Sequence, residues 1–457
     1  MVIRLTCFLV LSVCWGPLAP TSESLSAGLK AAAQSRYKLA YATHFGGNEF
    51  DQAREVILYP DGSVLIGGQS SSSNLPTTPG VVQPGYAGDA PNLGHGGVYG
   101  GDCFLARLSQ DGRRILFATY FGGSKQERNV YGMGLDRSGN IVITSMTRSP
   151  DLPTTQGSFQ AKYGGGVSDW FVAKLSADCR RLLWCTYIGG SGDESPRGGL
   201  AIDSQDNLYI VGVTDSANFS TTAGAFQRDR KGTNDAAVAK LKGDGSGLVF
   251  STLLGGSNSE GGIGARVDKE GCVYVAGHTE SSDFPISADA AQPRFGGQSD
   301  SYLAKLSSDG TRLVYSTCLG GSQNEFAEHR PWLAADGSFL LTGSAASHDF
   351  PTMKGAFQRT RKAGADGFLT RLSADGKAFV SSTFVGGSGN DFFLMPTVDA
   401  QGNIFIVGET GSRDFPVTPD AFQPAFAVRL IRNHYLAKLY RSFSCDLLLG
   451  NVTARRG

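Results

Sequence analysis

Charge is scarce in this sequence and favours neither sign. Charged residues make up 18% of the chain, against ~25% in ordinary globular domains. With 41 Lys plus Arg against 41 Asp plus Glu, no global field gathers nucleic acid or an anionic membrane surface. Nucleic acid is therefore not expected as a partner. Long apolar runs are missing too. Residues 5–15 form the one candidate, and they are too short for a stable span. Arg4 before that run and Pro17, Leu18 and Ala19 after it give the order of an export signal. Residues 1–22 are read as that signal and 23–36 as a linker. Lipidation at Cys14 or an uncleaved anchor is the alternative, although Val13 is bulkier than the residue lipid processing favours. The mature chain is expected to have no membrane span and to be extracytoplasmic, secreted or at the cell surface.

Cysteine and histidine are few and irregularly placed. Outside the signal lie Cys103, Cys179, Cys185, Cys272, Cys318 and Cys445. Their non-equivalent positions argue against a disulfide framework, and Cys179 with Cys185, flanking one hairpin, is the only pair plausible on local grounds. There is no CxxC and no Cys/His cluster, so a zinc site is not expected. The six histidines are scattered, and no HExxH, GxSxG or metal triad appears. No catalytic residue is assigned, and a non-catalytic protein is the favoured reading.

Glycine, in contrast, is abundant at 62 of 457 residues, which suits short strands joined by tight turns. The doublets Gly46-Gly47, Gly122-Gly123, Gly189-Gly190, Gly255-Gly256, Gly320-Gly321 and Gly386-Gly387 recur at spacings of 76, 67, 66, 65 and 66. One supersecondary unit is therefore copied six times. Each copy holds four segments of period-2 alternation, designated a to d. In the third copy these are residues 199–203, 207–212, 236–241 and 248–254. Four antiparallel strands make one propeller blade, and a lone blade buries too little surface to stand without neighbours. The expected fold is all-β: a six-bladed β-propeller of four-stranded antiparallel blades over residues 37–441, followed by a tail at 442–457. The sixth copy ends at its strand c, residues 435–439, while an orphan strand d stands first at residues 37–45. That N-terminal strand is expected to complete the last blade and close the ring.

The recurring Thr252-Leu253-Leu254-Gly255-Gly256-Ser257, Asp283-Phe284-Pro285, Gly355-Ala356-Phe357-Gln358 and Asp169-Trp170-Phe171-Val172-Ala173-Lys174-Leu175 resemble the SBBP β-propeller repeat of secreted and cell-surface bacterial and archaeal proteins. The resemblance covers about residues 37–440. The family's name implies seven blades, whereas this chain shows six copies. The resemblance implies a surface or S-layer-like protein and no common chemistry.

The fourth residue after each doublet is acidic: Asp51, Glu127, Glu194, Glu260, Glu325 and Asp391. Lying just ahead of strand a, they are expected as a ring of carboxylates at the channel mouth. Such a ring suits Ca²⁺ or a basic ligand. It equally suits a turn in which each carboxylate accepts backbone N–H bonds, and that structural role is favoured because it repeats in every copy. The Asp-Phe-Pro segments read as turn and core plug, with sugar stacking as the alternative. One cation per strand c, Arg107, Lys174, Lys240, Lys305, Arg371 and Lys438, is expected to snorkel or to pair with a carboxylate between blades, with a cationic binding ring as the alternative. Residues that break the symmetry are better binding candidates. Residues 85–101 lengthen the first copy and contain Tyr86, His95 and Tyr99, and the fifth copy opens strand a with His329, Arg330 and Trp332. The function expected is a binding or structural scaffold whose loop face takes a glycan, a cell-envelope component or a protein. A carbohydrate-active hydrolase or lyase using channel-mouth carboxylates is the alternative.

Overall fold

The structure is a computed structural model that describes residues 42–89, 101–327, 331–399, 402–418 and 450–452. Every regular element among them is a β-strand. The first sheet contains β1 (Asp51–Leu58), β2 (Val64–Ser70), β3 (Asp102–Leu108) and β4 (Ile115–Phe121), and the second β5 (Gly132–Leu135), β6 (Ile141–Thr147), β7 (Asp169–Leu175) and β8 (Leu182–Ile188). The third contains β9 (Glu194–Ile202), β10 (Leu208–Thr214), β11 (Asp235–Leu241) and β12 (Leu248–Leu254), and the fourth β13 (Glu260–Val267), β14 (Val273–Thr279), β15 (Asp300–Leu306) and β16 (Leu313–Leu319). In the fifth, β17 (Glu325–Ala327) and β18 (Trp332–Leu333) both pair with β19 (Phe339–Ala345), which continues to β20 (Asp366–Leu372) and β21 (Phe379–Val385). The last described sheet holds β22 (Asp391–Val398), β23 (Ile404–Thr410) and β24 (Gly450–Val452). Successive strands pair antiparallel within each sheet.

Short hairpins follow from the turn chemistry. In the β5–β6 turn the Asp136 carboxylate accepts the N–H groups of Ser138 at 2.9 Å and Asn140 at 2.8 Å. Gly139 there takes φ 79°, a region open to glycine at no steric cost.

Apolar side chains pack between sheets and join each to the next. Leu65 and Leu105 meet Ile143 and Phe171; Trp170 meets Leu208 and Ala237; Tyr209 and Val238 meet Val275 and Tyr302. Tyr274 and Leu303 meet Phe339 and Phe368, and Leu340 and Leu369 meet Phe393 and Ile406. Each fully buried side chain of this size contributes roughly 1.5–3 kcal/mol. The far face of the first sheet has less cover: Phe45 packs on Phe104 with tilted rings and centroids 5.3 Å apart, yet Val56 is 61% and Leu58 71% exposed.

Four features differ from the expectations. Strand a begins at the acidic residue itself in most copies, because that residue is already in register with strand b. The third strand of the last sheet is Gly450–Val452, from the tail left outside the repeat. An unpaired strand edge accepts any extended segment in reach, and residues 435–439 lie outside the described residues. Cys179 and Cys185 are separate buried thiols, as Cys103 and Cys318 are, and Cys272 is half-buried and free. Cys179 sits in the hairpin turn at φ 54° while Cys185 pairs with Ala173 in the strand, so both fill the same apolar core without bonding. Lastly, the strand-c cations pair within their own sheet and not between sheets: Lys174 with Asp136 at 3.0 Å, Lys240 with Asp203 at 3.0 Å, Lys305 with Asp268 at 2.9 Å, Arg107 with Asp61 at 2.9 Å and Arg371 with Asp336 at 2.8 Å. Strand b separates the two by one pleat, so a long side chain reaches the a–b turn directly. Lys438 lies outside the described residues.

Candidate functional site

Two places concentrate polar side chains: the joints between sheets and one groove on the loop face. At each joint the Gly-Gly doublet, the b–c loop and two acidic residues converge. In the third sheet Glu194 Oε2 accepts the Gly190 N–H at 2.9 Å and Oε1 accepts the Thr214 hydroxyl at 2.6 Å. Glu260 repeats this with Gly256 at 2.8 Å and Thr279 at 2.7 Å, and Asp391 with Gly387 at 2.7 Å and Thr410 at 2.5 Å. Glu127 and Glu325 accept Gly123 and Gly321 in the same way. These five acids are buried, so their oxygens face protein donors and not solvent. Asp51 is half-buried and accepts Gly47 at 2.6 Å and the Ser72 hydroxyl at 2.9 Å.

A second acid stands beside each of the five. Asp102, Asp169, Asp235, Asp300 and Asp366 open strand c, each 25 residues before its partner, and all are buried. For Asp102, Asp235, Asp300 and Asp366 the Gln of the Ala-Phe-Gln motif or its equivalent ties this acid to the doublet. Gln358 donates to Asp366 at 2.6 Å and accepts the Gly386 N–H at 3.0 Å, and Gln292 does the same for Asp300 and Gly320 at 3.0 and 3.1 Å. Sequence reading missed these aspartates, although their constant offset from the ring acids was visible. Burial pushes Asp102, Asp169 and Asp300 up to about 7 and Glu127 up to about 8, with hydrogen bonds pulling the other way.

In the Asp-Phe-Pro segments and their equivalents, Leu152, Phe219, Phe284 and Phe350 are buried in the core, which withdraws them from sugar stacking, whereas Phe415 is half-buried and Phe357 of the following Ala-Phe-Gln segment is 64% exposed. The aspartate of this segment instead caps the doublet, as Asp283 accepts the Ser257 N–H at 2.8 Å. Trp332 packs toward Leu340, Leu369, Phe393 and Ile406, at the joint with the last sheet. His95, Tyr99, His329 and Arg330 lie outside the described residues.

The loop-face groove has a volume of about 470 Å³ and is lined by Asp89, Lys125, Gln126, Arg148, Pro150, Tyr163, Gly166 and Val167. Lys125 comes from the connection between the first two sheets, Arg148 and Tyr163 from the β6–β7 loop, and Asp89 from the lengthened segment of the first copy. Tyr163 stands edge-on to Tyr187 at 5.9 Å, which fixes its ring, and Arg148 donates to Gln126 Oε1 at 3.2 Å. Tyr86 donates to the Asp89 carbonyl at 2.8 Å and stands edge-on to Tyr120 at 5.7 Å, so it supports this rim. Both cations break the repeat. Where this copy has Lys125 and Arg148, the others have Glu49 and Ser71, Gly192 and Asp215, Asn258 and Glu280, Gln323 and Ala346, or Gly389 and Gly411. Sequence reading singled out the segment that supplies Asp89 but passed over these two residues.

With this geometry in view, comparison with known proteins places the class. Residues 183–220 match the SBBP Beta-propeller repeat, and the chain carries that repeat. No curated protein matches the sequence. Among solved structures, a protein of unknown function from Bacteroides caccae is similar at 10% identity with a TM-score of 0.36, covering 70% of this chain and 82% of that one. A protein of unknown function from Dyadobacter fermentans DSM 18053 is similar at 11% identity and TM-score 0.41, covering 81% and 94%. A europium-containing methanol dehydrogenase is similar at 9% identity and TM-score 0.38, covering 83% and 78%. No helix among the described residues is long and apolar enough to cross a membrane.

Proposed function

We propose that this chain is an extracytoplasmic, non-catalytic six-bladed propeller that acts as a binding scaffold, taking an anionic glycan or envelope polymer in the groove at Lys125 and Arg148. The observation that carries this reading is that two cations, Lys125 and Arg148, line one groove together with Tyr163 and are present in one copy and absent from the others. A requirement of the fold repeats in every copy, whereas a site breaks the symmetry. Tyr163 offers an aromatic face to a sugar, and the two cations offer charge-assisted hydrogen bonds to a carboxylate, sulfate or phosphate on it. Six sequence copies support the blade count. The uncovered Val56 and Leu58 support closure, since the equivalent Ala265 is 2% exposed where a neighbouring sheet packs on it. The last copy together with residues 37–45 is the segment that would cover them. Against the hydrolase alternative stands the burial of the ring carboxylates beneath their own donors.

The test is a glycan array followed by calorimetric titration with the best anionic saccharide. Arg148→Ala should weaken binding by roughly tenfold to a hundredfold, the worth of one charge-assisted hydrogen bond. Unchanged affinity in Arg148→Ala and Lys125→Ala, or equal affinity for neutral saccharides, would remove the groove from the account.

A further inference from the structure

The proposed binding role does not use the paired acids at the joints, which are buried among their own donors. Both members converge on the first glycine of each doublet. A methyl group built on Gly189 would lie 2.4 Å from Asp169 Oδ1 and 2.7 Å from Glu194 Oε2. At Gly320 the distances are 2.3 Å to Asp300 Oδ1 and 2.8 Å to Glu325 Oε2, and at Gly386 2.7 Å to Asp366 Oδ1 and 2.8 Å to Asp391 Oδ2. On the strand-c side, Asp169 Oδ2 accepts the Gly164 N–H at 2.6 Å, whereas Oδ1 has no donor. Oδ1 of Asp102, Asp300 and Asp366 is equally without a donor, and all four residues are fully buried. An ionised carboxylate oxygen left so would carry the whole cost of desolvation.

We propose that each of these four joints holds one shared proton, the strand-c aspartate being a neutral acid whose Oδ1–H donates to the ring carboxylate of the next sheet, so that these protons latch neighbouring blades and are surrendered at alkaline pH. Asp235 differs, because its Oδ1 accepts the Gly232 N–H at 3.2 Å. Two carboxyl groups this close do not both ionise. The sixth copy gives independent support. Five residues before Lys438, where every other copy has this aspartate, the sequence has Asn433. Asparagine matches a protonated aspartate in shape and donates from the same place. Around the Asp169–Glu194 pair the charged and titratable groups are Asp193, Asp215 and Tyr163, with Arg148 acting on Tyr163, so the surroundings favour keeping the proton. Arg361 beside Asp366 favours the ionised form and marks the joint of the four that lets go most readily, as Arg230 favours ionised Asp235. Burial raises the acids in the same direction as the geometry requires.

The sign follows from linkage. An acid held above its unfolded value stabilises the fold fully below about pH 4, and that stability is lost as pH rises through the folded values near 7 to 8. The test uses the full-length protein. Infrared difference spectra should show a protonated-carboxyl C=O band persisting at pH 6 and disappearing at alkaline pH. Asp169→Asn should remove one pair's share of that band and flatten the fall of the unfolding midpoint between pH 5 and pH 8. A folded wild-type protein without the band at pH 6 overturns the proposal, whatever the variant does. So does an unchanged pH profile in Asp169→Asn, or a rise of the midpoint with added Ca²⁺ at fixed pH that abolishes the band, which would make a cation the occupant.

Discussion

Replacing Gly255 by alanine isolates the joint as a cause of stability. Gly255 has no positive φ, so its backbone suits any residue, and the requirement for glycine there is one of space. The new methyl would meet Asp235 Cγ at 2.5 Å and Glu260 Oε2 at 2.7 Å. Neither acid is free to swing aside. Asp235 accepts Gln227 at 2.5 Å and Lys231 N–H at 3.1 Å, and Glu260 accepts Gly256 N–H at 2.8 Å and Thr279 at 2.7 Å. Displacing one acid costs a bond to a charged group, about 1.5–3 kcal/mol, and crowding adds about 1–3 kcal/mol. Alanine returns about 0.4–1 kcal/mol by restricting the unfolded chain. The net loss is about 3 kcal/mol, read from denaturant unfolding at constant slope. Gly157→Ala is the control. Its φ is 81° and nothing lies within 4 Å of the added methyl, so only the backbone cost of roughly 1–2 kcal/mol remains. In the double variant Gly255→Ala with Asp235→Ala the collision partner is gone, and the two losses should fall short of additive by about 1 kcal/mol or more. A Gly255→Ala loss no larger than that of Gly157→Ala, or strict additivity, would refute this reasoning.

Lys240→Met leaves Asp203 buried without its partner, and the loss should approach about 3–5 kcal/mol, whereas Lys240→Met with Asp203→Asn should cost much less. Burial pushes Asp203 up, but hydrogen bonds from Asn207 and Lys240 outweigh it and hold the carboxyl below the usual range. Its stabilisation is therefore present at neutral pH and disappears as pH falls below about 4, which acid titration of the wild type and of Lys240→Met will separate. Among the described thiols Cys272 should react first with a maleimide in the native protein. Cys103, Cys179, Cys185 and Cys318 are buried with thiols raised by burial, and they should react only on unfolding, as mass spectrometry of the labelled sites would show.

Spacing made the architecture legible. The doublets mark the turn from one sheet into the next, and alternation places strand d at residues 248–254, as the structure does. Registers defined by a polar contact were less visible. Glu194 looks like a loop residue in the sequence because hydrophobic alternation starts only at Leu200, yet it pairs with Thr214 as the first residue of β9. Period-2 reasoning looks for apolar residues and so overlooks a strand that opens on a buried acid. Asp169 escaped notice for the same reason: it reads as the polar edge of an apolar strand, and only the contact with Glu194 reveals its role. Lys125 and Arg148 stand 23 residues apart, and only folding brings them to one groove. The cations of strand c were rightly read as paired, but alternation alone does not say whether the partner lies one strand away or one sheet away.

Closure of the ring is the claim on which the binding face and the latched joints both depend, and a distance across the seam tests it. Spin labels at Pro60 and Gly402, on the a–b turns of the first and last described sheets, would be measured against labels at Ser138 and Gln205 on the same turns of two adjoining sheets. Packed sheets lie about 10 Å apart face to face, so the seam distance should match the reference distance if residues 37–45 and the last copy complete one blade. A seam distance several times the reference would show an open array and contradict the account.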